Sequence, residues 1–212
     1  ARVEIDVSAA RHNLSTIRSS IGSSKILAIV KADAYGHGLV QIAKGFGDAD
    51  AFGVVSTEEA IALRSSNITH RLVLLEGFFD ENELELIREF RLEPVIHNKL
   101  QLEILKESKM TFSALWLKFN TGMNRLGFDI TELDEAYRQL RPLSQEIILM
   151  SHLANANLPD DSSVQKQVER FRLATSKYSD EKSLANSGGI LNWRSSHFDW
   201  VRPGLILYGV SP

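Results

Sequence analysis

Eight short apolar or β-branched runs punctuate the chain, at about residues 25–31, 51–55, 71–76, 93–97, 114–119, 146–152, 182–186 and 198–202. Each is too short for an ordinary helix, and amphipathic stretches separate them. Thr131–Arg141 carries Leu133, Ala136, Tyr137 and Leu140 on one helical face, and Asp161–Tyr178 carries Val164, Val168, Phe171, Ala174 and Tyr178. Ser56-Thr57-Glu58-Glu59 predicts a capping box at a helix start. A leading strand over Val3–Val7 and a helix with Ala10, Leu14, Ile17 and Ile21 on one face come first. Eight strand–helix repeats in 212 residues favour an α/β fold closed into a (β/α)8 barrel over an open doubly wound sheet. No linker, low-complexity tract or charge block divides the chain, so residues 1–212 read as one domain, and 43% hydrophobic residues suffice for a sizeable core.

Charge and composition exclude several classes. A net charge of −3 with no basic face gives no reason to expect nucleic acid. The chain has no cysteine, which rules out disulfides and thiolate metal sites and fits a reducing compartment. No apolar run reaches the roughly 18–20 residues of a membrane span, and no signal peptide is visible, so no membrane partner and a cytoplasmic location are expected.

Barrel enzymes collect their active sites at the C-terminal ends of the strands. Reading those ends gives Lys31, His97, Lys118 with Asn120, His152, Asn186 with Ser187, and Arg202. Lys31 follows the apolar Ile26-Leu27-Ala28-Ile29-Val30. Desolvation there favours the neutral amine, the form that builds a Schiff base. A strand-end lysine reaching for water is the plainer alternative. Ser187-Gly188-Gly189 and Pro203-Gly204-Leu205 follow the last two strands, where barrels often bind phosphate, although ordinary turns would look the same. His37 and His97 are far apart in sequence with no clustered carboxylates, so no metal site is expected.

Longer strings narrow the choice. Val30-Lys31-Ala32-Asp33-Ala34-Tyr35-Gly36-His37-Gly38 resembles the cofactor-lysine motif of the alanine racemases, which use pyridoxal 5'-phosphate to interconvert L- and D-alanine. Lys118-Phe119-Asn120-Thr121-Gly122-Met123-Asn124-Arg125-Leu126-Gly127, Ser151-His152, Ala185-Asn186-Ser187-Gly188-Gly189 and Val201–Gly209 follow in the family's order, over essentially the whole chain. The related single-domain pyridoxal-phosphate proteins lack the KADAYGHG and RLGF strings.

The resemblance implies a (β/α)8 barrel of pyridoxal-phosphate fold type III and an isomerase. It implies that Lys31 holds the cofactor and serves as catalytic base. It implies that Tyr35, Ser187 and the Gly204 and Leu205 amides hold the phosphate, with Asn186 beside them. Arg202 then faces the ring nitrogen, where many pyridoxal-phosphate enzymes place a carboxylate. A guanidinium donates there but hardly releases a proton, which favours return of the proton to Cα over transamination. Without the motif, Arg202 would read as half of a surface ion pair with Asp199. By the same resemblance His152 packs near the ring and bonds Arg202, and Arg125 contacts the cofactor's phenolic oxygen and neighbours the substrate carboxylate. Lys118 aligns with a lysine that is carbamylated in some members. Unmodified, it would repel Arg125 unless another anion is present.

Inversion at Cα is easiest with a base on each face. The resemblance assigns the second to a tyrosine from the partner subunit's C-terminal β-domain, which has no counterpart before Pro212. The chain is therefore expected to be the N-terminal barrel of a homodimeric enzyme that supplies D-alanine for peptidoglycan, with little activity alone. A non-enzymatic single-domain pyridoxal-phosphate carrier is one competing expectation. A cofactor-free barrel aldolase is another, and it needs a rim carboxylate that the strand ends do not convincingly offer.

Overall fold

The computed structural model describes residues 2–212. Eight parallel strands close in chain order, with the last paired to the first. They are β1 (Lys25–Ile29), β2 (Ala51–Val54), β3 (Arg71–Leu74), β4 (Leu92–Ile96), β5 (Phe112–Lys118), β6 (Ser144–Met150), β7 (Glu181–Ser183) and β8 (Trp200–Val201). Each overlaps one of the eight apolar runs. Closure follows Lys25 opposite Trp200 and Ile26 opposite Val201.

The helices are α1 (Val7–Ser20), α2 (Leu39–Gly45), α3 (Thr57–Ser65), α4 (Glu83–Glu89), α5 (Lys99–Ser108), α6 (Leu133–Leu140), α7 (Ser162–Thr175) and α8 (Ser187–Asn192). Their apolar stripes form the shell core against the outside of the barrel. Leu133, Ala136 and Leu140 of α6 are buried, as are Val164, Val168 and Phe171 of α7.

Two local expectations fail. Val3–Val7 forms no strand. The Asp6 carboxylate accepts from the Ser8 and Ala9 amides at 2.8 and 3.1 Å, which starts α1 at Val7. The predicted capping box at Ser56 is only half made. Ser56 Oγ accepts from the Glu59 amide at 3.4 Å, but the Glu59 carboxylate turns away to the Val55 and Asp33 amides at 2.9 and 3.1 Å. Glu59 thereby ties two strand-end turns together instead of closing its own helix. A complete box stands at Asp129 and Glu132, before α6.

Inside the barrel, side chains alternate, and only every second residue enters the lumen. Leu27 and Ile29, Val73, Val95, Trp116, and Ile148 and Met150 form a dry middle. The N-terminal mouth is closed by charge. Glu93, 4% exposed, accepts from Arg71 Nε and Nη2 at 2.6 and 2.9 Å and from Trp116 Nε1 at 2.9 Å. Arg71 also reaches Glu146 at 2.7 Å, and Lys25 reaches Glu181 at 2.6 Å. Both cations lie near the face of Trp200. Removing one partner of such a buried pair strands the other. Glu93→Ala should lower unfolding free energy by about 2–4 kcal/mol in urea denaturation. Glu85→Ala, which breaks an exposed pair on α4, should change it by less than about 0.5 kcal/mol.

Candidate active site

At the opposite mouth the same alternation carries polar side chains upward from the dry layer. Lys31 lies two residues beyond Ile29, Lys118 two beyond Trp116, His152 two beyond Met150, and Arg202 two beyond Trp200. All four line one cavity of about 310 Å³, with Tyr35, Glu76, Arg125, Asn186, Ser187, Gly204 and Leu205. That volume lies at the lower end of small-molecule sites.

After Lys31 the backbone does something that L-residues avoid. Ala32, Asp33, Ala34 and Tyr35 all have φ between 52 and 54° and ψ between 34 and 55°, one turn of left-handed helix. Such a conformation costs about 1–2 kcal/mol per residue. Several bonds hold it. The Ala34 amide donates to Val30 O at 2.8 Å, and the Gly38 amide to Asp33 O at 3.0 Å. Asp33 Oδ1 accepts from the Leu39 amide at 2.7 Å, which starts α2. Ala34 is fully buried. The turn aims Tyr35 across the mouth, where its hydroxyl would lie 2.8 Å from a Cβ on Gly204. Behind it, the Tyr208 ring packs on Tyr35 and His37, and its hydroxyl donates to Ile29 O at 2.9 Å.

Arg202 is the best-anchored cation, 3% exposed. Its Nη1 donates to Ser183 Oγ at 2.6 Å. Its Nη2 donates to Ser151 O, Leu184 O and His152 Nδ1 at 2.5, 3.1 and 3.2 Å. The surface pair with Asp199 does not exist, because Asp199 instead accepts from the Lys182 amide. Burial lowers the Arg202 pKa to about 9, which leaves it charged at neutral pH. Arginine cannot accept, so His152 Nδ1 must, and its ring proton sits on Nε2. Burial and then Arg202 hold the His152 pKa well below the usual histidine value, so the ring is neutral.

At the cavity's other end two chain turns meet. Asn186 caps α8 by accepting from the Gly189 amide at 3.0 Å. Ser187 Oγ accepts from the Gly204 amide at 2.9 Å. A Cβ on Gly188 would come within 2.6 Å of the Ala156 backbone. The result is a hydroxyl- and amide-rich corner at a helix start, suited to an anion.

Lys118 is 6% exposed on the third wall. Desolvation, then Arg202 and Arg125, lower its pKa to about 8, while Glu76 opposes the shift. Arg125 is exposed on the loop between Asn120 and Phe128, whose base is fastened by the Asn120 amide to Phe128 O and the Phe128 amide to Lys118 O.

The structure thus gathers Lys31, Tyr35, Lys118, Arg125, His152, Asn186, Ser187, Arg202, Gly204 and Leu205 around one cavity. His97 and Asn120 stand outside its lining. His97 Nε2 donates to Glu76 O, and Asn120 organises the Arg125 loop through the Gly122 and Asn124 amides. Sequence reasoning missed Glu76, a rim carboxylate on which the 71–76 run ends. It also missed Ser183, the Arg202 acceptor at the end of β7.

Ala32 is exposed, so substitutions there read backbone preference with little packing. Ala32→Gly should stabilise the fold by up to about 1 kcal/mol and Ala32→Val should destabilise it by about 1 kcal/mol or more, measured by urea denaturation. Lys118 gives a pH signature. Its folded pKa of about 8 lies below the ordinary 10.5, so folding disfavours its charged form. That penalty is full below pH 8 and is relieved as pH rises from 8 towards 10.5. Relative to Lys118→Met, the native protein should gain stability over that window in parallel urea titrations.

Comparison with known proteins gives one family. The family model described as "Alanine racemase, N-terminal domain" matches residues 5–212. The alanine racemase of Shewanella denitrificans is 42% identical over 219 residues, covering 100% of this chain and 60% of that protein. The biosynthetic alanine racemase of Escherichia coli K12 is 44% identical over 216 residues, with the same coverage. A crystal structure of the biosynthetic alanine racemase from Pseudomonas aeruginosa superposes with a TM-score of 0.93 at 36% identity, over 98% of this chain and 59% of that one. The Bartonella henselae alanine racemase with covalently bound pyridoxal phosphate superposes at 0.88 and 31%, over 98% and 60%. The chain spans about 60% of the length of the curated relatives it matches.

Proposed function

This chain belongs to the alanine racemase family, through its N-terminal domain, and from that premise we propose that the rim cavity binds pyridoxal 5'-phosphate and serves the interconversion of L- and D-alanine. One observation carries the reading: an amine, a buried guanidinium and an amide-rich anion corner line a single cavity. The donor set suits the group. Tyr35, Ser187, Gly204 and Leu205 would hold its phosphate, with Asn186 beside them, and a Cβ at position 204 would crowd the Tyr35 hydroxyl in this corner.

When bound, pyridoxal phosphate supplies an electron sink for the substrate's Cα. The chain supplies the rest. Lys31 holds the cofactor and takes or returns the Cα proton on one face. Arg202 donates toward the ring nitrogen and keeps its own proton, since guanidinium remains charged at working pH. His152, neutral and accepting from Arg202, fixes that guanidinium. Arg125 takes the cofactor's phenolic oxygen and the substrate carboxylate. A carbamate on Lys118 would turn a cation beside Arg125 into an anionic partner.

The second face needs a base from elsewhere. Tyr208 donates to Ile29 O, Tyr137 and Tyr178 are tied to Asp180 and Asp134 on the helical shell, and Tyr35 stands at the phosphate corner. We assign the opposing base to a partner subunit of a homodimer, in a cytoplasmic enzyme that provides D-alanine for cell-wall synthesis.

Adding pyridoxal phosphate to the purified protein should produce a visible absorption band that Lys31→Ala lacks. Residues 1–212 alone should turn over alanine at less than about 1% of a whole racemase, since loss of a general base costs about 10²–10⁴-fold. A band unaffected by Lys31→Ala would remove the cofactor assignment. Turnover near that of a whole racemase would remove the external base.

A further inference from the structure

Two buried hydroxyls stand between the Arg125 loop and the seat of Arg202. Thr121 and Ser151 are each 1% exposed, and Thr121 Oγ1 lies 2.9 Å from Ser151 Oγ, within hydrogen-bond distance. Ser151 directly follows β6, and Thr121 lies in the loop after β5 that carries Arg125. The β5–β6 ladder ends where the Phe119 amide donates to Met150 O at 3.0 Å. Beyond that bond the tie between these neighbouring strand ends passes to side chains.

Each hydroxyl belongs to a segment that other bonds hold. On the loop side, Asn120 Oδ1 accepts from the Gly122 and Asn124 amides at 2.9 and 3.1 Å, and its Nδ2 donates to Asn124 Oδ1 at 2.8 Å. Residues 120–124 are thereby one bonded turn, and Arg125 leaves from its end. On the barrel side, Ser151 O accepts from Arg202 Nη2 at 2.5 Å, and the Ser151 amide donates to Ser183 O at 3.1 Å. Helix α7 backs both sides. Arg170 Nη1 donates to Thr121 O at 3.4 Å, while the buried Gln167 donates to His152 O at 3.3 Å and accepts from the Ala154 amide at 3.1 Å. An unbroken path therefore runs from Arg202 through Ser151 and Thr121 to the turn below Arg125.

Stability does not call for this pair. Burying two hydroxyls is unfavourable until they bond each other, and the net gain is then small. Apolar residues of the same shape fill such a space at little cost. What the hydroxyls add is direction: apolar contacts tolerate sliding, whereas a satisfied buried hydrogen bond fixes one segment against the other.

We propose that Thr121 and Ser151 are positioning residues of this site: their hydroxyl pair locks the Arg125 loop to the segment that seats Arg202, so that the two guanidinium groups keep one spacing across the cavity. This role deepens the proposed function and rests on it, because Arg125 and Arg202 there meet two polar atoms of a single ring. A loop that drifted relative to Arg202 would serve one atom and miss the other. The coupling itself belongs to the protein's own atoms and is read without cofactor.

The test makes a change on one side and reads the other. The purified protein is observed by NMR, with the Arg202 guanidinium signals assigned by their loss in Arg202→Lys. Hindered rotation should keep the Arg202 Nη signals apart in the native protein, and Thr121→Val, on the loop, should merge them. Ser151→Ala, on the barrel, should speed hydrogen exchange of the Gly122 and Asn124 amides by about fivefold or more, the ratio expected for loss of one buried hydrogen bond. Thr121→Ser keeps the hydroxyl and should leave both readouts native. The double variant Thr121→Val with Ser151→Ala leaves neither hydroxyl orphaned. It should melt close to the native temperature yet show both changes, and it carries the test if a single variant unfolds. Native Arg202 signals and native loop exchange in the folded double variant overturn the proposal, as does Thr121→Ser behaving like Thr121→Val. Failure to bind pyridoxal phosphate would remove the proposed function and leave these measurements unaffected.

Discussion

Closing eight parallel strands leaves a lumen that only every second side chain can fill, and that two-residue repeat governs the rest of the molecule. In the middle layers the inward residues must be apolar, because no water reaches them to solvate a charge. Toward each mouth the same inward positions can be polar, provided that partners are at hand. The N-terminal mouth meets that condition internally, with Glu93, Glu146 and Glu181 satisfied by Arg71, Lys25 and two indoles. The C-terminal mouth does so only for Arg202, and the unmet demand of Lys31, Lys118 and Arg125 is what makes it a site.

Arg202 shows how such a demand is contained. Taking a guanidinium out of water is expensive, but four acceptors on the β6 and β7 ends surround its terminal nitrogens. Three of them are fixed by strand geometry and one, His152, by burial. The guanidinium is therefore oriented before anything binds. Lys118 lacks such a nest, and its ammonium has no hydrogen-bond partner among the described residues, which is why its protonation is sensitive to its neighbours.

The sequence displayed the barrel because parallel strands buried on both faces are continuous apolar runs, and the runs stop one to three residues beyond the strand ends. It displayed most of the site for the same reason: polar residues at those stops fall on one rim. What stayed hidden depended on long-range partners. Nothing in Ala32-Asp33-Ala34-Tyr35 announces a left-handed turn, since no glycine occupies those four positions and the bonds that enforce it come from Val30, Gly38 and Leu39. Glu59 matched a capping pattern, but the Val55 and Asp33 amides captured it. Val3–Val7 alternates like a strand, yet no strand edge is open beside it in a closed barrel. Glu76 ends an apolar run, and it faces the cavity because Gly77 turns the chain there.

The two mouths also differ in how their charges are met. Arg71, Lys25 and two indoles pair three carboxylates at the N-terminal end, where Arg64 and Arg91 also stand, whereas four cations face one carboxylate side chain at the C-terminal end, with an apolar plug between them. Positive charge is therefore in surplus around the C-terminal cavity, and the low-dielectric plug keeps the far carboxylates from neutralising it. Small anions diffusing past the molecule are drawn to that mouth, so encounter is biased before any specific contact forms. A carboxylate or phosphate ester arriving this way enters charged end first.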